Sequence, residues 1–261
     1  MPIWKRQPQF DNLAPSLHQW FQSDLGRAVL AAEQGLVSRQ LTDCFGYHLL
    51  QLSVDSEVTL FRDSRVQRCF KAGPVAGRFD APFAQCDYDA LPFETDSLDV
   101  VIVHHVLEFA ANPHAVLREL HRVAVPEGRI LLLGFNPWSL FGGKMLAGRW
   151  RRDGIWQNHL LSAQRITDWL ELLGFAVAEV DFGFHRMPFN RARGGPGLKT
   201  SPWSRRWPLG GIYAVSAIKQ VAAFTPLKPR WVKPAPVLAQ LPVGKPSTSV
   251  GQRRGRGRAL G

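Results

Sequence analysis

Three groups of side chains in this chain have the types and spacing to do chemistry. The first is an acidic loop, in which Asp87, Tyr88 and Asp89 stand just ahead of Leu91, Pro92 and Phe93. An acid placed there either faces a cleft, where it can accept hydrogen bonds from a ligand, or serves as an ordinary turn residue. The second is a run of proton-transfer and metal-binding groups: His104, His105, Glu108, His114 and His121. Their spacing is not His-Glu-x-x-His, and His114 and His121 fall on a helix separate from the first three, so they read as surface or packing histidines and no metal is expected. His104 ends a strand pattern, the place where open α/β sheets bind ligands, so it is a cleft residue or a histidine satisfied by neighbouring backbone. The third is Asn136, directly before Pro137, which is either an acceptor contact or a local Asx turn. No serine sits in a Gly-x-Ser-x-Gly context, which removes support for a hydrolase.

These groups must be positioned by the elements around them. Val100 to Val103 and Ile130 to Leu133 are short runs, apolar on both faces, as expected of parallel strands covered on each side. Between them Asn112 can cap a helix, Pro113 fits its first turn, and Val116, Leu117, Leu120 and Val123 form one apolar stripe. Pro126, Glu127 and Gly128 turn the chain into the next strand. A parallel pair needs a crossover of this kind, so the local fold is α/β. Upstream, Ser23 or Asp24 caps a helix with Leu25, Val29, Ala32 and Leu36 on one face, leading to a strand over Tyr47–Ser53. Val58–Phe61 reads as a second strand, followed by Arg62 and Asp63. Downstream, Ser162 caps a helix carrying Ile166, Trp169, Leu170 and Leu173, closed by Gly174. Phe175–Val180 and Ile212–Ile218 then read as a closing antiparallel hairpin.

The segment LPFETDSLDVVIVHHVLEF, followed by LRELHRVAVPEGRILLLGF, resembles the second half of a class I S-adenosylmethionine-dependent methyltransferase of type 11. In that family an Asp four residues before an LPF-like triplet ends the third strand near the adenine of the cofactor, and Asp87 occupies that place. Leu98 and Asp99 stand for the family's Phe-Asp pair. Leu107, Glu108 and Phe109 stand for its Leu-Glu-His, and Arg122 to Gly128 for its Arg-Val-Leu-Lys-Pro-Gly-Gly turn, with Glu127 at the first glycine. The turn Phe135-Asn136-Pro137-Trp138-Ser139-Leu140 is similar to one in a narrower bacterial group of such domains. The family's Gly-x-Gly-x-Gly turn after strand one is replaced here by Leu52, Ser53, Val54 and Asp55. The resemblance implies a Rossmann-like, seven-stranded, mostly parallel sheet with helices on both faces and an antiparallel last strand. It also implies S-adenosylmethionine as cofactor, with Leu52, Ser53, Asp63, Asp87, Tyr88 and His104 facing it, and a small-molecule acceptor met by Asn136 and Arg186. The reaction would be direct displacement at the sulfonium methyl, where alignment can supply much of the rate without a covalent catalyst. A domain of this type that has lost catalysis and serves as a binding or scaffold protein is the second reading.

Length and charge set the frame. A chain of 261 residues suits one α/β domain, here expected over 23–231, with an extension over 1–22 and a disordered basic tail over 232–261. Cys44, Cys69 and Cys86 are too few and too scattered for a disulfide framework, and no run approaches a membrane span, so a cytoplasmic protein is expected. Residues 1–181 carry a net charge of −4 and residues 182–261 carry +15, together the +11 of the whole chain. So one-signed a region attracts anions. Arg186, Arg191, Arg193, Lys199, Arg205 and Arg206 lie in a Gly- and Pro-rich stretch before the last strand, either shaping a pocket for an anionic acceptor or forming a solvated loop. The terminal QRRGRGRALG has no aromatic residue for base stacking, so at most weak, nonspecific, salt-sensitive contact with nucleic acid is expected of it.

Overall fold

The computed structural model describes residues 8–75, 81–143, 160–185 and 207–220. Its elements run α1 (Pro8–Gln22), α2 (Asp24–Leu41), β1 (His48–Ser53), β2 (Arg68–Gly73), β3 (Phe83–Gln85), β4 (Leu98–His104), α3 (Val106–Phe109), α4 (Pro113–Val123), β5 (Ala124–Phe135), α5 (Ala163–Leu172), β6 (Phe175–Gly183) and β7 (Ile212–Lys219). The strands form one seven-stranded sheet in the order β3-β2-β1-β4-β5-β7-β6. β1 to β5 pair in parallel, and β7 runs antiparallel between β5 and β6. This is the seven-stranded Rossmann-like sheet, with its last strand reversed, that the sequence resemblance implies.

Helices cover both faces because the strands are apolar on both. On one face Val116, Leu117, Leu120 and Val123 of α4, with Ile166 and Leu170 of α5, close over Val101, Val103, Ile130 and Leu132. On the other, Leu25, Val29, Leu36 and Val37 of α2 close over Val100, Ile102, Leu131 and Leu133. Alternate residues of β4 and β5 thus serve opposite layers, and each large aliphatic side chain so buried contributes on the order of 1.5–3 kcal/mol. The caps are those that the sequence offers. The side chains of Ser23, Asn112 and Ser162 accept from the amides of Gly26, Ala115 and Arg165. Gly174, at φ 87°, ends α5.

Two expectations need correction. The second strand is Arg68–Gly73, not Val58–Phe61. The buried amide of Gln51 in β1 donates to the carbonyl of Val58 at 2.8 Å and accepts from the amide of Leu60 at 2.8 Å. A side chain therefore satisfies the backbone that a neighbouring strand would otherwise pair, and Leu60 packs under α2 from a loop. Residues 1–22, expected as an extension, include α1, whose Leu17 and Phe21 are each 1% exposed within the main core. Within β5 the Pro126-Glu127-Gly128 turn persists as an irregularity, with Glu127 at φ 63° and the register to β4 shifting between Leu98 and Val100.

The turn from α1 to α2 depends on Gly26, where a Cβ would lie 2.2 Å from the Trp20 carbonyl oxygen and 2.6 Å from the Phe21 Cα. Neither atom can retreat without moving α1. Gly26→Ala is expected to destabilise the protein by about 1–3 kcal/mol, the usual range for an overpacked core. A urea unfolding midpoint equal to that of the parent would show that α1 is not held in this way.

Candidate active site

The carboxyl ends of β1, β3 and β4 lie on one edge of the sheet, and most of the chemically capable side chains gather there. At the exit of β1 the turn Ser53 to Glu57 is held by its own side chains. The amide of Asp55 donates to Ser53 Oγ at 3.3 Å, and the amide of Glu57 donates to Asp55 Oδ1 at 3.0 Å. His18 of α1 reaches down to it, with Nδ1 3.1 Å from Asp55 Oδ2 and Nε2 3.8 Å from Glu57 Oε2. α1 is therefore tied across this edge.

At the exit of β3, Asp87 bridges in antiparallel fashion to Ala90 and is half-buried. Tyr88 is buried, and its hydroxyl donates to the Ser53 carbonyl at 2.6 Å. Its ring passes over the end of β2, where a Cβ on Gly73 would come within 3.2 Å of the phenol oxygen. Burial pushes the phenol well above its ordinary range, so it stays a hydrogen-bond donor.

The centre of the edge is a buried ionic network. His104 Nδ1 lies 2.8 Å from Ser53 Oγ, and its Nε2 lies 3.1 Å from Glu33 Oε2 of α2. His105 Nε2 lies 2.6 Å from Glu33 Oε1, and its Nδ1 lies 2.7 Å from Glu108 Oε2. The other oxygen of Glu108 accepts the amide of Phe135, at the end of β5. Glu33, His104 and His105 have no exposed surface. Aromatic rings close the network: Phe135 stacks on His105 at 3.9 Å between centroids, and Phe21 of α1 lies 5.3 Å from His104.

Its protonation follows from competing causes. Burial raises the Glu33 carboxyl, but the charges of His105 and His104 and their hydrogen bonds outweigh it and bring it down to about 2. Burial lowers His105, but Glu108 and Glu33 overcome that and hold it at about 10. For His104 burial prevails and the ring is pushed down; burial likewise raises Glu108. At neutral pH Glu33 is an anion, His105 a cation donating from both nitrogens, and His104 a neutral ring. On this assignment His104 donates to Glu33 and accepts from Ser53.

Several expected site residues sit elsewhere or do other work. The Leu52 side chain is in the core, so only its backbone meets the edge. Asp63 lies in the loop before β2, not after that strand where the class takes the ribose hydroxyls, and it is engaged by α2: the Ser38 hydroxyl donates to it and the Gln34 amide lies 3.4 Å away. Asn136 is 2% exposed. Its amide donates to the carbonyls of Pro208 at 2.7 Å and Gly210 at 2.9 Å, while its oxygen accepts from the Trp138 amide. It is an Asx turn and a clip between two loops rather than an acceptor contact. Arg186 lies outside the described residues. His114 and His121 pack against Trp169 and Phe175, away from the edge. Glu33, His18 and Asp55 are the residues that sequence reasoning missed as site groups. The signal for Glu33 was a carboxylate on the buried face of α2, four residues after Val29 and three before Leu36.

This topology, with an acidic turn at the exit of β3, is that of a class I S-adenosylmethionine-dependent methyltransferase. Residues 31–132 match the family described as Methyltransferase domain. The chain is 28% identical to the uncharacterized protein YafS of Escherichia coli K12 over 177 residues, covering 67% of this chain and 71% of that protein. Its fold superposes on an S-adenosylmethionine-dependent methyltransferase of Thermotoga maritima with a TM-score of 0.64 at 14% identity, covering 82% of this chain and 99% of the other. It superposes on geranyl diphosphate methyltransferase in complex with S-adenosylmethionine at 0.51 and 14%, covering 72% and 84%. Residues 31–132 thus match a methyltransferase domain within a chain of methyltransferase fold, and S-adenosylmethionine is the cofactor of that class. The residues present fit it at the outer end of the edge, where Asp87 is half-buried at the exit of β3. They depart from it at the inner end, where Ser53, Asp55 and Glu57 replace a glycine-rich turn.

The ionic network has a pH signature. A carboxyl lowered by folding stabilises above its unfolded value of about 4.3 and loses that contribution as pH falls toward 2. A histidine raised by folding stabilises fully below about 6.5 and loses that contribution as pH climbs through 10. In EDTA-treated protein the thermal midpoint should fall as pH rises from about 6.5 through 10, where His105 loses its proton, and fall again below about pH 4.3, where Glu33 gains one; between these limits the lowered His104 and the raised Glu108 act with opposite signs. His105→Asn, which tolerates the left-handed backbone, should remove the alkaline decline and cost about 3–5 kcal/mol at pH 6. An unchanged alkaline slope in that variant would contradict the charge assignment.

Proposed function

We propose that the protein is an active S-adenosylmethionine-dependent methyltransferase that acts on a small, anionic acceptor in a reducing, cytoplasmic compartment. The observation that carries the reading is Asp87, half-buried at the exit of β3 in a sheet of methyltransferase order. In the methyltransferases that the chain resembles, an acid at this place lies near the adenine of the cofactor, and the Asp87 carboxylate would accept from that end. Tyr88, locked beneath it on the Ser53 carbonyl, fixes the turn. Bound S-adenosylmethionine would supply the methyl group. The chain's contribution would be alignment and exclusion of water, and an acceptor of low enough pKa needs no general base. An anionic acceptor is supported by the fifteen Lys and Arg residues, with no acid among them, that follow Asp181. The reducing compartment is supported by Cys44, Cys69 and Cys86, all free thiols. Among the described residues no helix is long and apolar enough to cross a membrane.

One observation favours a second reading, a domain that binds without catalysing. Asp55 and Glu57 place two carboxylates in the β1 exit turn, beside where the class holds the carboxylate of the methionine moiety, and His18 is drawn onto them. Like charges meeting there would weaken the cofactor's grip.

Calorimetric titration of the full chain with S-adenosylmethionine and S-adenosylhomocysteine separates the two. The enzyme reading expects micromolar binding, weakened at least about tenfold, or ~1.4 kcal/mol, by Asp87→Ala. A folded protein that binds neither compound would leave the second reading.

A further inference from the structure

We propose that Glu33, His104 and His105 form a binding site for one divalent transition-metal ion, of the kind that favours nitrogen and carboxylate donors, such as Zn²⁺. The donors come from two separate segments, α2 and the end of β4, and one ligand atom of each lies within 4.8 Å of the others. Two imidazoles and one carboxylate are a set that zinc takes with a fourth position left for water.

The surroundings resemble the outer shell of a metal site. A ligating histidine usually has its second ring nitrogen fixed by a carboxylate, a carbonyl or another polar group. Here both are fixed: His105 Nδ1 by Glu108 at 2.7 Å and His104 Nδ1 by Ser53 Oγ at 2.8 Å. Glu108 is itself anchored by the Phe135 amide, so the shell is tied to β5. Both Nε2 atoms are thereby aimed at the two oxygens of Glu33.

An independent observation is the backbone. Neighbouring residues on a strand point to opposite faces, so His104 and His105 would diverge if β4 continued. Instead His105 adopts φ 56°, a left-handed conformation that a residue with a Cβ takes at a cost on the order of 1–3 kcal/mol, and such strain gathers at functional sites. That break turns both rings onto one carboxylate. The place is the carboxyl end of β4, where open α/β sheets bind ligands.

Geometry and charge both accommodate an ion. Tetrahedral bonds of about 2.0–2.1 Å put donor atoms roughly 3.3 Å apart. His104 Nε2 and Glu33 Oε2 are at 3.1 Å, and the closer contact of 2.6 Å between His105 Nε2 and Glu33 Oε1 opens by less than about 1 Å when the ion enters. Two neutral imidazoles, the Glu33 and Glu108 carboxylates and one dication sum to zero, which suits so dry a site. On binding, the His105 cation releases its Nε2 proton to solvent, while the single proton of neutral His104 moves from Nε2 to Nδ1, where it donates to Ser53 Oγ, so one proton leaves per ion bound.

The test is to strip the untagged full chain with EDTA and titrate it with Zn²⁺ against a chromophoric chelator. The expected result is one Zn²⁺ per chain, bound at least about 100-fold more weakly by Glu33→Gln and about 10–100-fold more weakly by Glu108→Gln. His114→Ala, at a ring that packs against Trp169, should match the parent. Should either acidic-site variant fail to fold, X-ray absorption on the zinc-loaded parent decides instead, and two imidazoles in the zinc shell are expected. Folded parent that takes up no zinc, zinc held equally well by Glu33→Gln, or a zinc shell without imidazole would each overturn the proposal.

Discussion

The structure turns on the buried carboxylate of Glu33. It receives His104 at 3.1 Å and His105 at 2.6 Å, and through these rings it connects α2 to Ser53 at the end of β1, to Glu108 in α3 and to the end of β5. A charge so placed is costly unless every partner is present, and removal of one partner leaves an uncompensated ion. The network therefore permits few alternatives: α2 must lie with Glu33 over the exit of β4, and β4 must break at His105. The remaining packing, aliphatic and tolerant, accommodates those two demands.

The same demands explain how the carboxyl edge differs from what its class leads one to expect. Ser53 is engaged by His104 and by the Asp55 amide, where a glycine would make neither contact. Asp55 in turn draws His18, which brings α1 over the edge with Leu17 and Phe21 in the core and Phe21 against the His104 ring. Tyr88 closes the gap between the ends of β1 and β2. Inner groups that are elsewhere left open to ligand are here joined to one another. The outer turn holds Asp87 half-buried at the exit of β3. α1, α2 and the β1 exit turn thus form one connected unit, in which a change at Ser53 or Glu33 is felt by the whole edge.

Much of this was legible in the sequence, for reasons that individual residues make plain. Val100 to Val103 and Ile130 to Leu133 are apolar on both faces and sit in parallel strands covered twice. Asn112, Ser23 and Ser162 cap the helices that their spacing implies. The resemblance placed Asp87 at the end of β3, and it is there. β2 escaped notice because Arg68 and Lys71 interrupt its apolar pattern, with Lys71 buried at 2% exposure. Val58–Phe61 looked like a strand from its apolar and β-branched residues, but the side chain of Gln51 takes the place of a neighbouring strand there, a substitution that periodicity cannot reveal. The Glu33 network was hidden because 71 residues separate it from His104, and the coupling of an acid on a helix face to a distant strand end exists only in three dimensions. Asn136 was ambiguous between ligand contact and Asx turn until the carbonyls of Pro208 and Gly210 met its amide.

A crystal structure of the full chain grown with saturating S-adenosylhomocysteine would test the methyltransferase reading most directly. The ligand is predicted to lie along the carboxyl ends of β1, β3 and β4, with its adenine beside Asp87. An edge that stays closed by Tyr88 and by the His18–Asp55 pair, with no ligand against Asp87, would contradict it.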